Sequence, residues 1–433
     1  MRSLPKQLAA SSVFIATVAF TLRLLILYLS WHRGAVADAV PFGYEAGQVA
    51  KSIVSGRGFS SPFTLVETGP TAFLSPVYPY LLAAIFKLWG IYTVRSHIAV
   101  EAINCLFSAV TVFPLYSIAK RSYGIGVAAA SSWVWVILPS AWHAPIADVW
   151  DTSATVFFLT LLVWATLRLR SQARLEYWLG YGVLWAVGVS LNATLIALLP
   201  FCLAWLGWDL RRQPVRASKL IFASLFFFVV GLTPWTVRNY SVFRKLVPLR
   251  STLGLELWLG NNADTRDVRS FSLHPLYNEE EAYSFKTMGE MSYMSLKLRT
   301  AVDFIRSNPG LTAVRIAKRT FDFWFAVTDR PQNAWASDPM YVQALFILNF
   351  TLVSLGWFGL AWTWRTMGLF EVAPYVAVVF VYPLVYYLTH TLVRYRYPIE
   401  PILVILSVYG LAQVVASAHK TRFNRSPILP GSI

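Results

Sequence analysis

The chain has 433 residues, of which 56% are apolar, 16% aromatic and 13% charged, with a mean hydropathy of +0.52. Soluble domains average about 45–50% apolar and about 25% charged residues. These figures therefore exclude a soluble globular enzyme, a disordered chain and a coiled coil. What they leave is a polytopic membrane protein with lipid as its outer solvent. The net charge is +16, from 37 basic and 21 acidic residues. In a soluble chain that excess would suggest nucleic acid. In a membrane protein it belongs first to cytoplasmic loops, so no nucleic-acid partner is expected.

The basic N-terminus (Arg2, Lys6) leads into an apolar run from about 9 to 30. Its length, its internal Arg23 and the lack of a small-residue cleavage site favour a first span over a signal peptide. Further runs lie near 97–118, 125–142, 152–168, 177–192, 193–209, 219–237, 341–363, 370–389 and 399–417. Basic clusters at Lys120-Arg121, Arg168/Arg170/Arg174, Arg211-Arg212/Arg216/Lys219, Arg365 and His419-Lys420/Arg422/Arg425 alternate with poorly charged turns. All of them fit the cytoplasm if the runs cross in order. The stretch 73–90 would invert that order. It is short, carries Pro76 and Pro79 at its start and has Lys87 near its end, so it reads as an interfacial or re-entrant helix on the outer side. The expectation is an all-α polytopic membrane protein with about ten transmembrane helices, outer-face juxtamembrane helices and both ends inside.

Two outward segments are long, about 31–96 and 238–338. The second is the main polar stretch; its pattern suggests two or three amphipathic helices lying against the membrane, with a helix stop and restart at Asn308-Pro309-Gly310. Cys105 and Cys202 lie in apolar runs and read as core residues. No Gly-rich phosphate loop is present.

An acid at membrane level is costly unless it faces a polar cavity, which singles out few residues. Asp38 and Glu45 lie in the first outward loop, Glu45 being either a site residue or a solvated carboxylate at a helix start. Asp148 and Asp151 precede the run at 152–168. Asp151 suits an N-cap; with Asp148 about one helical turn earlier, the pair also suits general-base chemistry or a divalent cation. In THTLVRYRYPIEP at 389–401, His390, Arg394 and Arg396 place positive charge on the outer side against the topology bias. Either a bound anion such as a lipid phosphate or aromatic-belt packing with Tyr395 and Tyr397 explains them. Arg238, in the sequence WTVRN, is another outer-face arginine, and Asn192 in SLNAT marks a turn or, by pattern alone, a glycosylation sequon.

The order of these parts resembles the GT-C class of membrane glycosyltransferases, and within it family-39-like proteins related to protein O-mannosyltransferases and aminoarabinose transferases. The carrying segments are YEAGQVAKSIVSGRGFSSPF (44–63), TGPTAFLSPVYPYLLAAIFKLWGIY (68–92), AKRSYG (119–124), PSAWHAPIADVWDTSATVFFLTLLVWATLRLR (139–170), GVSLNATLIALLP (188–200), PWTVRNY (234–240) and, more loosely, RYRYPIEP (394–401). The resemblance implies a GT-C-like catalytic core at 1–240, an outer-face helical loop at 241–338 and C-terminal transmembrane helices at 339–433. It implies transfer of a sugar from a polyprenyl-phosphate-linked donor to a protein, lipid or polysaccharide acceptor, at the outer face of what would be a bacterial inner membrane. The implied site is Glu45 as base with Asp151 as partner and Asp38 as alternative. Arg394, Arg396, His390, Arg238, Asn192 and Asp148 would bind substrate; a divalent metal is left open. The chain departs from the class where a first-loop aspartate is common, carrying Phe42 and Gly43 there. Either Glu45, Asp38 or Glu67 then takes the base role, or the chain is not catalytic. The other readings are a lipid-linked-sugar transporter or flippase, and a non-catalytic subunit that binds lipid-linked sugar.

Overall fold

The computed structural model describes residues 9–32, 41–147, 149–170, 172, 174–265, 271–327 and 338–423. Apolar runs become helices because a backbone without water must satisfy its own N–H and C=O groups. In chain order these are α1 (Ser12–His32), α2 (Tyr44–Val54), α3 (Val77–Trp89), α4 (Val94–Val110), α5 (Val112–Tyr123), α6 (Ile125–Ile137), α7 (Pro139–Ala147), α8 (Thr152–Leu169) and α9 (Leu175–Leu191). A 3-10 turn (Ala193–Leu198) then leads to α10 (Leu199–Asp209), α11 (Pro214–Phe243), α12 (Leu253–Gly260), α13 (Glu279–Met288), α14 (Glu290–Ser307) and α15 (Pro309–Phe325). The chain ends through α16 (Pro339–Met367), α17 (Leu369–Val376), a π turn (Ala377–Val381), α18 (Leu384–Leu388) and α19 (Glu400–Phe423). Among the described residues there is no strand, only an isolated bridge between Ser60 and Pro70.

The ten apolar runs resolve into fewer full-length spans than expected. Among the described residues, seven helices are long and apolar enough to cross a membrane, and α6 with α7, bent by 42°, make an eighth if taken as one span. The runs at 177–192 and 193–209 instead form the 17-residue α9 and the broken 3-10/α10 segment. At 1.5 Å per residue, α9 is about 26 Å long, just under the hydrocarbon thickness. The stretch 73–90 forms only the 13-residue α3, about 20 Å and too short to cross.

Local signals set the boundaries. Thr93 caps α4 by accepting from Ser96 N at 3.1 Å, and Asp338 caps α16 by accepting from Met340 N at 2.9 Å. Pro309 opens α15 directly after Asn308, as the stop-and-restart reading expects. Gly359 lets α16 approach α19 closely: a Cβ there would collide with the Leu406 carbonyl.

Arg23 lies wholly buried in α1. Nε donates to Ser108 Oγ at 2.9 Å and to the Ala141 carbonyl at 3.1 Å, Nη1 to the Ala19 carbonyl at 2.9 Å, and Nη2 to the Trp135 carbonyl at 3.2 Å. One guanidinium thus joins α1, α4, α6 and α7. Replacing Arg23 with Met removes a donor from each of these buried acceptors. The Ala141 carbonyl keeps Ser108 Oγ at 2.6 Å and the Ala19 carbonyl its helical bond, and an acceptor left without a donor costs about 1–3 kcal/mol. A clear fall in the detergent-solubilised melting midpoint is expected for Arg23→Met and not for Lys120→Met at an exposed helix end.

Candidate active site

A cavity of about 920 Å³ opens at the end of the bundle where α8 begins and α9 finishes. Its walls come from α2, the start of α3, the 150–155 and 191–197 segments, the polar stretch 248–277, and the 382–398 segment. Glu45, Asp151, Asn192, His390 and Arg394 all line it. Residues from four separate parts of the sequence therefore converge.

The first loop supplies Glu45. Gly43 (φ 80°) and Tyr44 (φ 48°) both adopt left-handed backbone at the start of α2. Glycine takes this conformation freely and tyrosine does not. This reversal turns Tyr44 and Glu45 into the cavity and stacks Tyr44 on Trp150, with centroids 4.8 Å apart. Glu45 is buried, and among the described residues its Oε2 has no hydrogen-bond partner. Its Oε1 lies 3.6 Å from His274 Nε2. His274 Nδ1 accepts the Leu276 backbone N–H at 3.1 Å, so the neutral ring carries its proton on Nε2, towards Glu45. Burial pushes the Glu45 carboxyl up to about 7, although its own backbone N–H, Arg394 and Arg250 favour the charged form. Burial likewise pushes His274 down to about 4.

Asp151 stands at the N-cap of α8 but makes no side-chain capping bond. Instead Asn192 Nδ2 donates to its Oδ2 at 3.0 Å. Asn192 Oδ1 accepts from Thr194 N at 3.0 Å and from Thr194 Oγ1 at 2.6 Å, so the SLNAT turn acts as an orienting arm for Asp151. Burial raises the Asp151 carboxyl against the pull of Arg394, Asn192 and Arg250.

The 389–396 segment supplies the positive side, and it separates the two arginines of RYR. Val393–Tyr395 is a 3-10 turn; at three residues per turn, positions two apart point about 120° away from each other. Arg394 places its guanidinium 4.0 Å from the Trp150 ring centroid at the cavity wall. Arg396 is buried on the other side. Its Nε pairs with Glu400 Oε1 at 3.2 Å, and Nη1 donates to the carbonyls of Phe323, Trp324 and Ala326, each at 3.1 Å. Arg396 is thus a clamp that fixes the loop, not a wall of this cavity. Arg238 is a second clamp outside it, donating to the carbonyls of Thr71 (2.6 Å) and Phe59 (2.7 Å) and so pinning the first loop to α11. Glu290 holds the same loop, accepting from Thr71 Oγ1 at 2.6 Å and Ala72 N at 2.9 Å.

The alternatives for the first-loop acid separate in space. Phe42 is packed among Phe86, Tyr92 and His97. Glu67 is exposed and paired with Arg57, away from the cavity lining. Asp38 and Asp148 lie outside the described residues.

Three further site residues come from the polar stretch and were not singled out from sequence. Arg250 pairs with Glu256; Glu256 Oε2 lies 3.4 Å from His390 Nδ1; and His390 Nε2 is 3.2 Å from Tyr395 Oη. His274 is the third. Burial works to raise the Glu256 carboxyl, but Arg250 and the two imidazoles outweigh it and leave it lowered. Burial also lowers His390, despite Glu256. The signal for Glu256 was its position inside the apolar run LGLELWLG, a costly place for an acid without a partner.

Among the described residues, no group of three or more His, Cys, Asp or Glu side chains is disposed to hold a metal ion. What the geometry provides is a protonatable carboxyl and two guanidinium groups lining one aromatic-walled cavity.

The fold agrees with the all-α, GT-C-like bundle expected from the sequence. Over residues 72–237, less than half of its length, the chain matches the sequence model of the family described as dolichyl-phosphate-mannose-protein mannosyltransferase. It superposes on the oligosaccharyltransferase AglB from Archaeoglobus fulgidus, solved with an inhibitory peptide and a dolichol-phosphate. That match has a TM-score of 0.54 at 13% identity, over 98% of this chain and 52% of that one. The apo form of the Archaeoglobus fulgidus oligosaccharyltransferase gives 0.57 at 11% identity over the same shares. Its complex with Zn and sulfate gives 0.55 at 13%, over 94% of this chain and 49% of that one. The chain thus spans about half the length of the oligosaccharyltransferase it matches, and at these identities the common feature is the fold. No curated protein matches the chain significantly by sequence.

The poised carboxyl is directly measurable. The infrared C=O band of protonated Glu45 is expected to appear as pH falls through about 7 and to be missing in Glu45→Gln. Arg394→Gln removes a charge that favours the carboxylate, so it should move this transition to higher pH. An unmoved transition would contradict the site electrostatics.

Proposed function

We propose that this chain transfers a sugar from a polyprenyl-phosphate-linked donor to a nucleophilic acceptor, in a cavity that opens at the outer face of the membrane. The observation that carries the reading is the convergence of Glu45, Asp151, Asn192, His390 and Arg394 on one 920 Å³ cavity. The outward orientation is supported by the basic loops, which collect at the opposite ends of these helices, as at Lys120-Arg121 and Arg168. A lipid-linked donor suits a site at membrane level, with aromatic walls for the sugar and lipid and guanidinium groups for the phosphate. It also suits a chain without a nucleotide-binding motif.

In the proposed reaction the acceptor O–H approaches the sugar C1 from the side of Glu45. As the new C1–O bond forms, the acceptor proton passes to the unpartnered Glu45 Oε2. The C1–O bond to phosphate breaks on the opposite face, and its electron pair leaves with the polyprenyl phosphate. Arg394, held on Trp150, and Arg250 stabilise the charge that develops there. His274 keeps the Glu45 carboxylate oriented through its Nε2 proton. Asp151, fixed by Asn192, orients the acceptor or the sugar hydroxyls. A protein, lipid or polysaccharide hydroxyl all fit this chemistry. The peptide and dolichol-phosphate bound in AglB are of the kind expected for acceptor and donor.

The test is transfer from a purified polyprenyl-phosphate sugar in reconstituted vesicles. Glu45→Gln and Asp151→Asn are expected to lose at least about 100-fold in rate, the scale of a positioned general base, with melting behaviour preserved. Because the carboxylate is the active base form, the wild-type rate should fall about tenfold per pH unit below about 7. Near-normal transfer by Glu45→Gln would overturn the base role. Movement of the lipid-linked sugar across the bilayer without transfer would replace the reading with a flippase.

A further inference from the structure

A second large recess lies at the far end of the bundle from the candidate active site. It has a volume of about 840 Å³ and is bounded by the C-terminal turn of α5, the end of α8 and the first half of α9. The distance between the two sites follows from α8: Asp151 is its N-cap and Arg168 lies in its last turn, about 26 Å apart along the axis. The recess is open on the outer surface of the bundle, where Lys120, Arg121, Arg168 and Gly180 are exposed.

Its composition is graded. At the mouth stand Lys120 and Arg121 in the last turn of α5 and Arg168 in the last turn of α8. Among the described residues lining the recess, the one acid is Glu176, ion-paired to Arg174, so against Lys120, Arg121 and Arg168 the mouth carries an excess of positive charge. Inward from it the lining becomes apolar, through Trp164, Ala165 and Leu184. Leu184 lies eight positions beyond Glu176 on α9, so the apolar floor reaches about 12 Å from the charged rim. Gly180 sits halfway along this floor, and a Cβ built on it would meet nothing within 4 Å. The space is kept open by the missing side chain, at a mid-helix position where glycine costs about 1 kcal/mol relative to alanine.

A cationic rim above an apolar trough on the lipid-facing side of a helical bundle matches one ligand chemistry: an anionic headgroup with an acyl chain attached. We propose that this groove binds an acidic glycerophospholipid of the surrounding bilayer, with its phosphate at Lys120, Arg121 and Arg168 and one acyl chain along Trp164, Gly180 and Leu184. Basic pockets between transmembrane helices recognise acidic lipids by this combination of charge and hydrocarbon contact. The groove lies outside the sugar-transfer cavity, and its assignment does not rest on the reaction proposed there.

The test is lipid retention by the full-length purified protein in native mass spectrometry. Phosphatidylglycerol, phosphatidylcholine of the same acyl chains and polyprenyl phosphate serve as the three probes. Phosphatidylglycerol should be retained about tenfold more strongly than phosphatidylcholine. Gly180→Leu puts a side chain into the trough from a Cβ position with nothing within 4 Å and raises helix propensity, so its retention should fall about tenfold while its melting midpoint is kept. Lys120→Gln with Arg121→Gln should do the same by removing rim charge, whereas Arg394→Gln in the distant cavity should leave phosphatidylglycerol retention unchanged. Equal retention of the two phospholipids would overturn the proposal, as would undiminished retention in both groove variants. Displacement of phosphatidylglycerol from this groove by polyprenyl phosphate would overturn the choice of occupant.

Discussion

A guanidinium group inside an apolar bundle must have its donors satisfied, because it cannot shed its charge and there is little water to serve it. Much of this structure follows from how that constraint is met. Arg23 is satisfied by a serine and three backbone carbonyls and joins four helices. Arg238 is satisfied by the carbonyls of the first loop. Arg319 donates to the Tyr387 and Leu388 carbonyls at 3.3 and 3.2 Å, just before the 389–396 segment, and Arg396 closes the other end of that segment. Irregular backbone at membrane level is tolerated where protein buries it. Here arginines supply the missing hydrogen-bond donors and turn two loops into fixed walls.

Within those walls the remaining charge is arranged by proximity. Glu256 has Arg250 at its carboxylate and two imidazoles nearby, and it is held in the charged form. Glu45 is more deeply buried, its side chain 7% exposed against 25% for Glu256, and burial drives its carboxyl up to about 7. Two glutamates in one cavity are thereby set apart, one a permanent anion that fixes Arg250 and His390, the other able to exchange a proton near neutrality. Such a division between neighbouring carboxyl groups is what acid–base chemistry requires. Arg394, stacked on Trp150, lies in a low-dielectric setting where its charge acts with little screening.

Much of this was legible in the sequence, and the exceptions have physical reasons. The apolar fraction specified an all-helical membrane protein. The proline pair at 76 and 79 marked α3 as a non-spanning helix, and the scarcity of acids pointed to Glu45 and Asp151. The span count came out lower because hydropathy does not register where a run breaks: Asn192 ends α9 and starts a 3-10 turn, leaving α9 and α10 as shorter pieces. Arg394 and Arg396 read alike as outer-face cations, since no property of RYR reveals the 3-10 turn that sends them to opposite sides. Arg250, Glu256 and His274 come from a polar stretch without a recognisable motif, and only tertiary folding brings them to Glu45. For Asp151 the sequence allowed a cap, a site role or both; its side chain bonds Asn192 and makes no cap, so the capping reading falls.

The central claim is that Arg394 and the other cavity cation are placed to receive a lipid-linked phosphate, while Arg396 is a scaffold. The most direct measurement is equilibrium binding of polyprenyl phosphate, without sugar, to the purified protein. Arg394→Gln should weaken binding by about 10- to 100-fold, the range for a hydrogen bond to a charged group, while Glu45→Gln binds at least as well as wild type because one nearby negative charge is gone. Wild-type affinity in Arg394→Gln would contradict the account.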